Sequence, residues 1–106
     1  TTFPPMGWKL IDADADGENF FAFNTGSAHT GSFSAASASW FSGLGALTPD
    51  NHLVTPALIV ATGDTLSFWY AAQDAAYPSD KFQVLVSTSG KAAADFTDTL
   101  YLKTIT

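Results

Sequence analysis

Two stretches decide the fold class: Asp64-Thr65-Leu66-Ser67-Phe68-Trp69-Tyr70-Ala71-Ala72 and Lys81-Phe82-Gln83-Val84-Leu85-Val86-Ser87-Thr88. In an extended chain successive side chains point to opposite faces, so residues two apart share a face. The first stretch then sets Leu66, Phe68 and Tyr70 against Thr65, Ser67 and Trp69. The second sets Phe82, Val84 and Val86 against Lys81, Gln83 and Ser87. This alternation is that of half-buried strands.

Working outward, Leu53–Val60 and Thr99–Ile105 read as further strands, with Pro56 implying an edge or a bulge. Phe20–Phe23 and Ser37–Phe41 are shorter candidates. Turn chemistry separates them at Gly43–Gly45, Thr48-Pro49-Asp50-Asn51, Thr62-Gly63-Asp64, Tyr77-Pro78-Ser79-Asp80 and Ser89-Gly90. No stretch of helical length shows i, i+3, i+4 apolar spacing, and Lys91–Asp95 is long enough for one helical turn inside a loop. The expectation is an all-β, antiparallel β-sandwich of the jelly-roll kind in one domain spanning residues 1–106. About six strands are visible where a jelly roll uses eight, so the sandwich reads as an incomplete portion of one. Another chain or domain is expected to complete it. A small Ig-like sandwich is the alternative, but the Trp and Cys pattern of such domains is missing.

Composition agrees with a folded β domain: 46% of residues are hydrophobic, 14% aromatic and only 13% charged. Ten acidic residues against four lysines give a net charge of −6, with no arginine. Nucleic-acid binding needs clustered positive charge, so that class is excluded. Adsorption to anionic lipid is disfavoured for the same reason. No apolar run approaches the roughly 20 residues that span a bilayer, so membrane insertion is not expected. Without cysteine there is neither a disulfide framework nor a thiolate metal site.

The strongest local signal is Asp12-Ala13-Asp14-Ala15-Asp16-Gly17-Glu18-Asn19. If extended, its four carboxylates would share one face, and like charges repel by ~1 kcal/mol per pair at 4 Å even in water. Such crowding favours a cation. Calcium suits it, as a hard ion that takes 6–8 oxygens. The start matches the first half of an EF-hand loop, but Phe23 stands where the bidentate Glu belongs and no helix flanks it. Two readings stay open: a Ca2+ loop held by Asp12, Asp14, Asp16 and Glu18, or a solvated acidic turn. Asp74 could lend a ligand to the same ion, although a turn-forming role is the plainer account. His29 and His52 lack a third ligand at zinc spacing and read as ordinary loop or surface histidines.

No nucleophile elbow, Cys nucleophile, phosphate loop or metalloprotease pair is present, and no two carboxylates stand out as a glycosidase pair. The chain is therefore read as not an enzyme, with no catalytic residues. Tyr77, in a loop beside Pro78, is the expected exposed anchor for a ligand. Trp40 and Trp69 are candidates as well, but lie in expected strands and are better read as core.

Pro5–Trp8, Ile11-Asp12-Ala13-Asp14 and Gly45-Ala46-Leu47-Thr48-Pro49-Asp50-Asn51-His52-Leu53-Val54-Thr55-Pro56-Ala57-Leu58 carry a resemblance. So do Leu66-Ser67-Phe68-Trp69, Ala72-Gln73-Asp74-Ala75, Val84–Gly90 and Asp95-Phe96-Thr97. Together they resemble the cleaved adhesin family, the MAM-like jelly-roll modules of gingipain proteases and haemagglutinins of oral Bacteroidetes. The resemblance implies calcium in the domain and acidic ligands near its start. It also implies an extracellular or bacterial cell-surface location and binding of host or matrix proteins or cells. A carbohydrate-binding module on the same architecture, taking glycans, is the alternative. Two departures stand out. The family's opening Phe-Glu strand and its later aromatic strands are not found, which implies a processed fragment or a compact variant. Ala71 also stands where relatives often carry Cys.

Overall fold

The computed structural model describes residues 3–24, 28–72 and 80–105. Among these residues eight short strands form, in chain order, β1 (Lys9–Asp12), β2 (Phe21–Phe23), β3 (Ser34–Ala36), β4 (Trp40–Phe41), β5 (Gly45–Ala46), β6 (Asn51–Val54), β7 (Lys81–Val86) and β8 (Asp98–Thr104). One 3₁₀ turn, Ala93–Asp95, lies within the expected Lys91–Asp95 turn. The strands pair as four antiparallel ribbons: β1–β6, β2–β3, β4–β5 and β7–β8. The all-β, antiparallel expectation holds.

The β1–β6 ribbon is non-local and runs from Lys9 opposite Val54 to Asp12 opposite Asn51. Its ends have local causes. The turn before β1 closes with Trp8 N–H donating to the Pro5 carbonyl (3.0 Å), and Gly7 takes a φ of 86°. β6 stops at Val54 because Pro56 has no N–H to give a ladder. The two ends touch: a Cβ on Gly7 would lie 3.1 Å from Pro56 Cγ. Strand 53–60 is therefore shorter than its pattern suggests, and β1 and β3 form where no alternation had marked a strand.

The β7–β8 ribbon joins Lys81 to Thr104 and slips register between Val84 and Leu85, a bulge that adds twist. Ties between ribbons are side-chain bonds. Ser39 Oγ donates to Asp80 Oδ1 (2.8 Å) at the foot of β7, and Asn51 Nδ2 donates to Ser37 Oγ (3.1 Å).

Residues 64–72, which the alternation marks as a strand, join no ladder among the described residues. Their alternation nevertheless holds in packing. Phe68 and Tyr70 turn toward β7–β8 and form an aromatic cluster with Phe82 and Tyr101, with centroids 4.8–6.4 Å apart. These are the separations of edge and tilted pairs. The Tyr101 hydroxyl lies 3.4 Å from that of Tyr70; this bond, then burial, raises the Tyr101 pKa above that of an ordinary tyrosine. Trp69, on the opposite face, points away from the cluster and stacks on His29.

The expected tryptophan core does not form. Trp40 is 61% and Trp69 76% exposed, and Val54 alone falls in the buried class among the described residues. The reason is geometric: two-stranded ribbons leave both faces open unless another layer covers them.

The aromatic cluster should be the main tertiary weight on the β7–β8 ribbon. Phe82→Ala is expected to cost about 2 kcal/mol in urea unfolding, roughly half the value for a fully buried Phe, because Phe82 is half-buried. Gly7→Ala should cost about 1–2 kcal/mol through its positive φ and the Pro56 approach. Urea unfolding of both variants checks the two values.

Candidate metal centre and exposed aromatic surface

The acidic run does not stay extended. Asp12 closes β1, and Ala13 N–H donates to the Asp50 carbonyl (2.9 Å), fixing the base of the loop on the β6 side. The chain then turns sharply. Ala15 sits at a φ of 56°, a left-handed conformation that costs a non-glycine residue roughly 1–2 kcal/mol, and Gly17 at 87°. The Asp12 carboxylate holds this turn: Oδ1 accepts from Asp16 N–H (3.3 Å) and Oδ2 from Gly17 N–H (2.8 Å). Asp16 Oδ1 in turn accepts from Glu18 N–H (2.8 Å).

Turning brings carboxylates together in a way that alternation alone does not describe. One oxygen each from Asp12, Asp14 and Asp16 lies within 4.8 Å of the other two. Glu18 does not join that group. Asp74, the fifth residue expected at the metal, lies outside the described residues, as does Tyr77.

An ionised carboxylate offers about four acceptor sites, so the backbone bonds leave oxygen capacity on both Asp12 and Asp16. Two neutral oxygens adjoin the loop, one by sequence and one by register. Asn19 follows it directly, and Asn51 is the ladder partner of Asp12. The Oδ1 atom of each is buried without a hydrogen-bond partner. An acceptor buried alone costs about 1–3 kcal/mol, so such atoms call for a partner. Carboxylates plus neutral amide oxygens form the donor set a hard divalent cation takes, and the residues fit calcium. The composition of the loop did not single out either asparagine; the strand register was needed for Asn51.

Beside the loop, His52 Nε2 meets Asp50 Oδ1 at 2.9 Å, two residues apart on the same face of extended chain. This gives the Asp50 carboxylate a partner of its own.

A second feature is aromatic. His29 and Trp69 stack with centroids 3.8 Å apart and planes 12° from parallel, on the surface. His29 lies at the surface, as expected of an ordinary loop or surface histidine, and its place against Trp69 across forty residues has no local sequence signal. Trp40, opposite Ala46 in β4–β5, and Leu44 in the connecting turn are both 61% exposed. The three candidates for ligand contact thus divide: Trp40 and Trp69 are at the surface, and Tyr77 is outside the described residues.

The loop makes distinct demands on its carboxylates. In metal-free buffer Asp12→Ala should cost about 1–2 kcal/mol, since it strips acceptors from two backbone N–H groups. Asp14→Ala should leave stability unchanged or slightly raised, because it relieves repulsion without removing such a bond. Paired thermal melts in chelator measure the difference.

Comparison with known proteins places these features. Residues 1–106 match the Cleaved Adhesin Domain family. Gingipain R1 of Porphyromonas gingivalis is 44% identical over 105 residues, which is 96% of this chain and 6% of the relative. Hemagglutinin A of Porphyromonas gingivalis is 39% identical over 107 residues, which is 96% of this chain and 4% of the relative. The chain thus spans a small fraction of the curated relatives it matches. The crystal structure of the K1 cleaved adhesin domain of Lys-gingipain from Porphyromonas gingivalis W83 superposes with a TM-score of 0.91 at 42% identity, over 96% of this chain and 62% of that one. The K3 domain of the same protein gives 0.85 at 38% identity, over 96% of this chain and 61% of that one. On sequence and on fold, the chain belongs to the cleaved adhesin domain family.

Proposed function

We propose that this chain is a non-catalytic, extracellular adhesin module that binds host or matrix proteins and is held in shape by calcium. The observation that carries the reading is an acidic loop that gathers three carboxylates, together with an exposed aromatic surface, on a chain of this family. Trp40 on the β4–β5 hairpin and Trp69 on its His29 stack are exposed tryptophans of the kind that central contacts of protein interfaces use. No helix among the described residues is long and apolar enough to cross a membrane.

Calcium enters as a brace. Asp12, Asp14 and Asp16 would hold it by carboxylate oxygens, with the amide oxygens of Asn19 and Asn51 available to complete the shell. A divalent ion there supplies positive charge that offsets the crowding of three carboxylates. It thereby ties the loop to the β1–β6 ribbon. Magnesium should substitute poorly, because it demands a tighter octahedral shell.

A second reading has one observation in its favour. The indole of Trp69 is 76% exposed and already held flat by His29, the platform on which sugar rings stack in a carbohydrate-binding module.

Two experiments test these readings. A hundredfold excess of calcium over Kd should stabilise the chain by about 2.7 kcal/mol. The gain should vanish in Asp14→Asn, and a melting temperature indifferent to calcium and chelator ends the metal assignment. For the ligand, matrix proteins and glycans are arrayed side by side with and without calcium. Protein binding weakened at least tenfold by Trp40→Ala is the expected result. Glycan binding lost in Trp69→Ala, without protein binding, would select the second reading.

A further inference from the structure

Asp16-Gly17 is the one place in the chain where an Asp or Asn precedes a Gly. The pairing matters chemically. A glycine nitrogen has no side chain beside it to block its approach to the carboxyl carbon of the residue before. Both residues are exposed, and a Cβ built on Gly17 would have nothing within 4 Å beyond its own chain neighbours. The nitrogen has open space around it.

The loop adds two features that the dipeptide alone lacks. Asp16 Oδ1 accepts the Glu18 N–H at 2.8 Å, which folds the carboxyl back over the intervening Asp16–Gly17 peptide in an Asx-turn. The Gly17 N–H is held by Asp12 Oδ2, also at 2.8 Å. An N–H bond lies in the plane of its peptide. The π electrons of the nitrogen, above and below that plane, stay free to meet the carboxyl carbon.

We propose that Asp16 is a self-modification site, where the chain converts aspartate to isoaspartate through a cyclic imide. The Gly17 nitrogen attacks Asp16 Cγ and forms the new C–N bond, and its proton passes to Asp12 Oδ2. One Cγ–O bond breaks, and its oxygen leaves as water with that proton and a second one from solvent. Water then reopens the ring. Addition at Cγ restores aspartate, whereas addition at the main-chain carbonyl carbon of Asp16 gives isoaspartate. Neither an oxidant nor a reductant is needed. In the product the main chain runs through Cβ and Cγ, one atom longer, and the free carboxylate sits on Cα. The oxygen that met Glu18 N–H is then lost from the turn, and Asp16 no longer stands with Asp12 and Asp14. The conversion is a slow timer on the loop, and it holds whether or not an ion binds there.

The test keeps the folded chain in warm neutral buffer with chelator and samples it over weeks. Peptide mapping with electron-transfer fragmentation locates isoaspartate, and a methyltransferase specific for that residue counts it. Isoaspartate should collect at Asp16 ahead of every other aspartate, and more slowly when the chain is held unfolded in urea. Gly17→Ala should slow it at least tenfold. Asp12→Asn, which keeps an acceptor oxygen but takes no proton, should slow it several-fold in the folded chain and not in urea. Asp16→Asn should reach the same product faster, with ammonia leaving in place of water. Isoaspartate absent from Asp16, or formed there no faster than at other aspartates, overturns the proposal. So does a rate that is the same in urea, or one that Asp12→Asn leaves unchanged.

Discussion

The ladder between β1 and β6 is the constraint on which the other features hang. It joins residues about forty positions apart, contains the buried Val54, and fixes the start of the acidic loop by holding Asp12 opposite Asn51. With β1 anchored, the Asp12 side chain is free of ladder duties and can gather the N–H groups of Asp16 and Gly17. Slack at this ladder would leave three carboxylates free to separate, as their repulsion favours. The loop's shape is therefore a tertiary property expressed through a local turn.

Coverage is the second theme. Ribbons of two strands cannot bury both faces, and the side chains divide accordingly. Where two layers meet, as at Phe68, Tyr70, Phe82 and Tyr101, an aromatic cluster forms. Where they do not, Trp40, Trp69 and the 57–60 segment stay at the surface. The same shortage of cover thus leaves exposed both these tryptophans and the apolar 57–60 segment. The two differ in kind. Trp69 carries a polar indole N–H and a stacked imidazole and suits a wet interface, whereas Leu58, Val60 and Leu66 offer only apolar surface.

Adhesion places modest demands on such a module. A binding surface needs rigid anchors at known positions and little else, and function in this architecture lives in surface residues more than in the fold. The His29 stack restricts the rotation of Trp69, which would lower the entropy lost if a ligand bound there as proposed. An ion at the acidic loop would act in the same direction by fixing the chain that leads into β2.

By itself the sequence determined the class of structure and the chemistry available to it. Period-2 alternation in Lys81–Thr88 marked β7, and Thr99–Ile105 read as the strand that becomes β8, since alternation records which side chains face a common layer. Acidic spacing from Asp12 to Glu18 marked a loop of crowded carboxylates, because like charges so close in sequence repel in any conformation. Family membership was legible from short runs such as Leu47-Thr48-Pro49-Asp50-Asn51. Only the tertiary structure decided the rest. β1 is four residues of mixed pattern and becomes a strand because β6 pairs with it, while Asp64–Ala72 has the pattern and finds no ladder partner among the described residues. The loop gathered Asp12, Asp14 and Asp16 but not Glu18, since a left-handed turn at Ala15 and Gly17 replaced the extended chain. Trp40 and Trp69 came to the surface although their strand positions suggested core. In each case the deciding quantity was which distant segment lies opposite, and a local pattern carries no record of that.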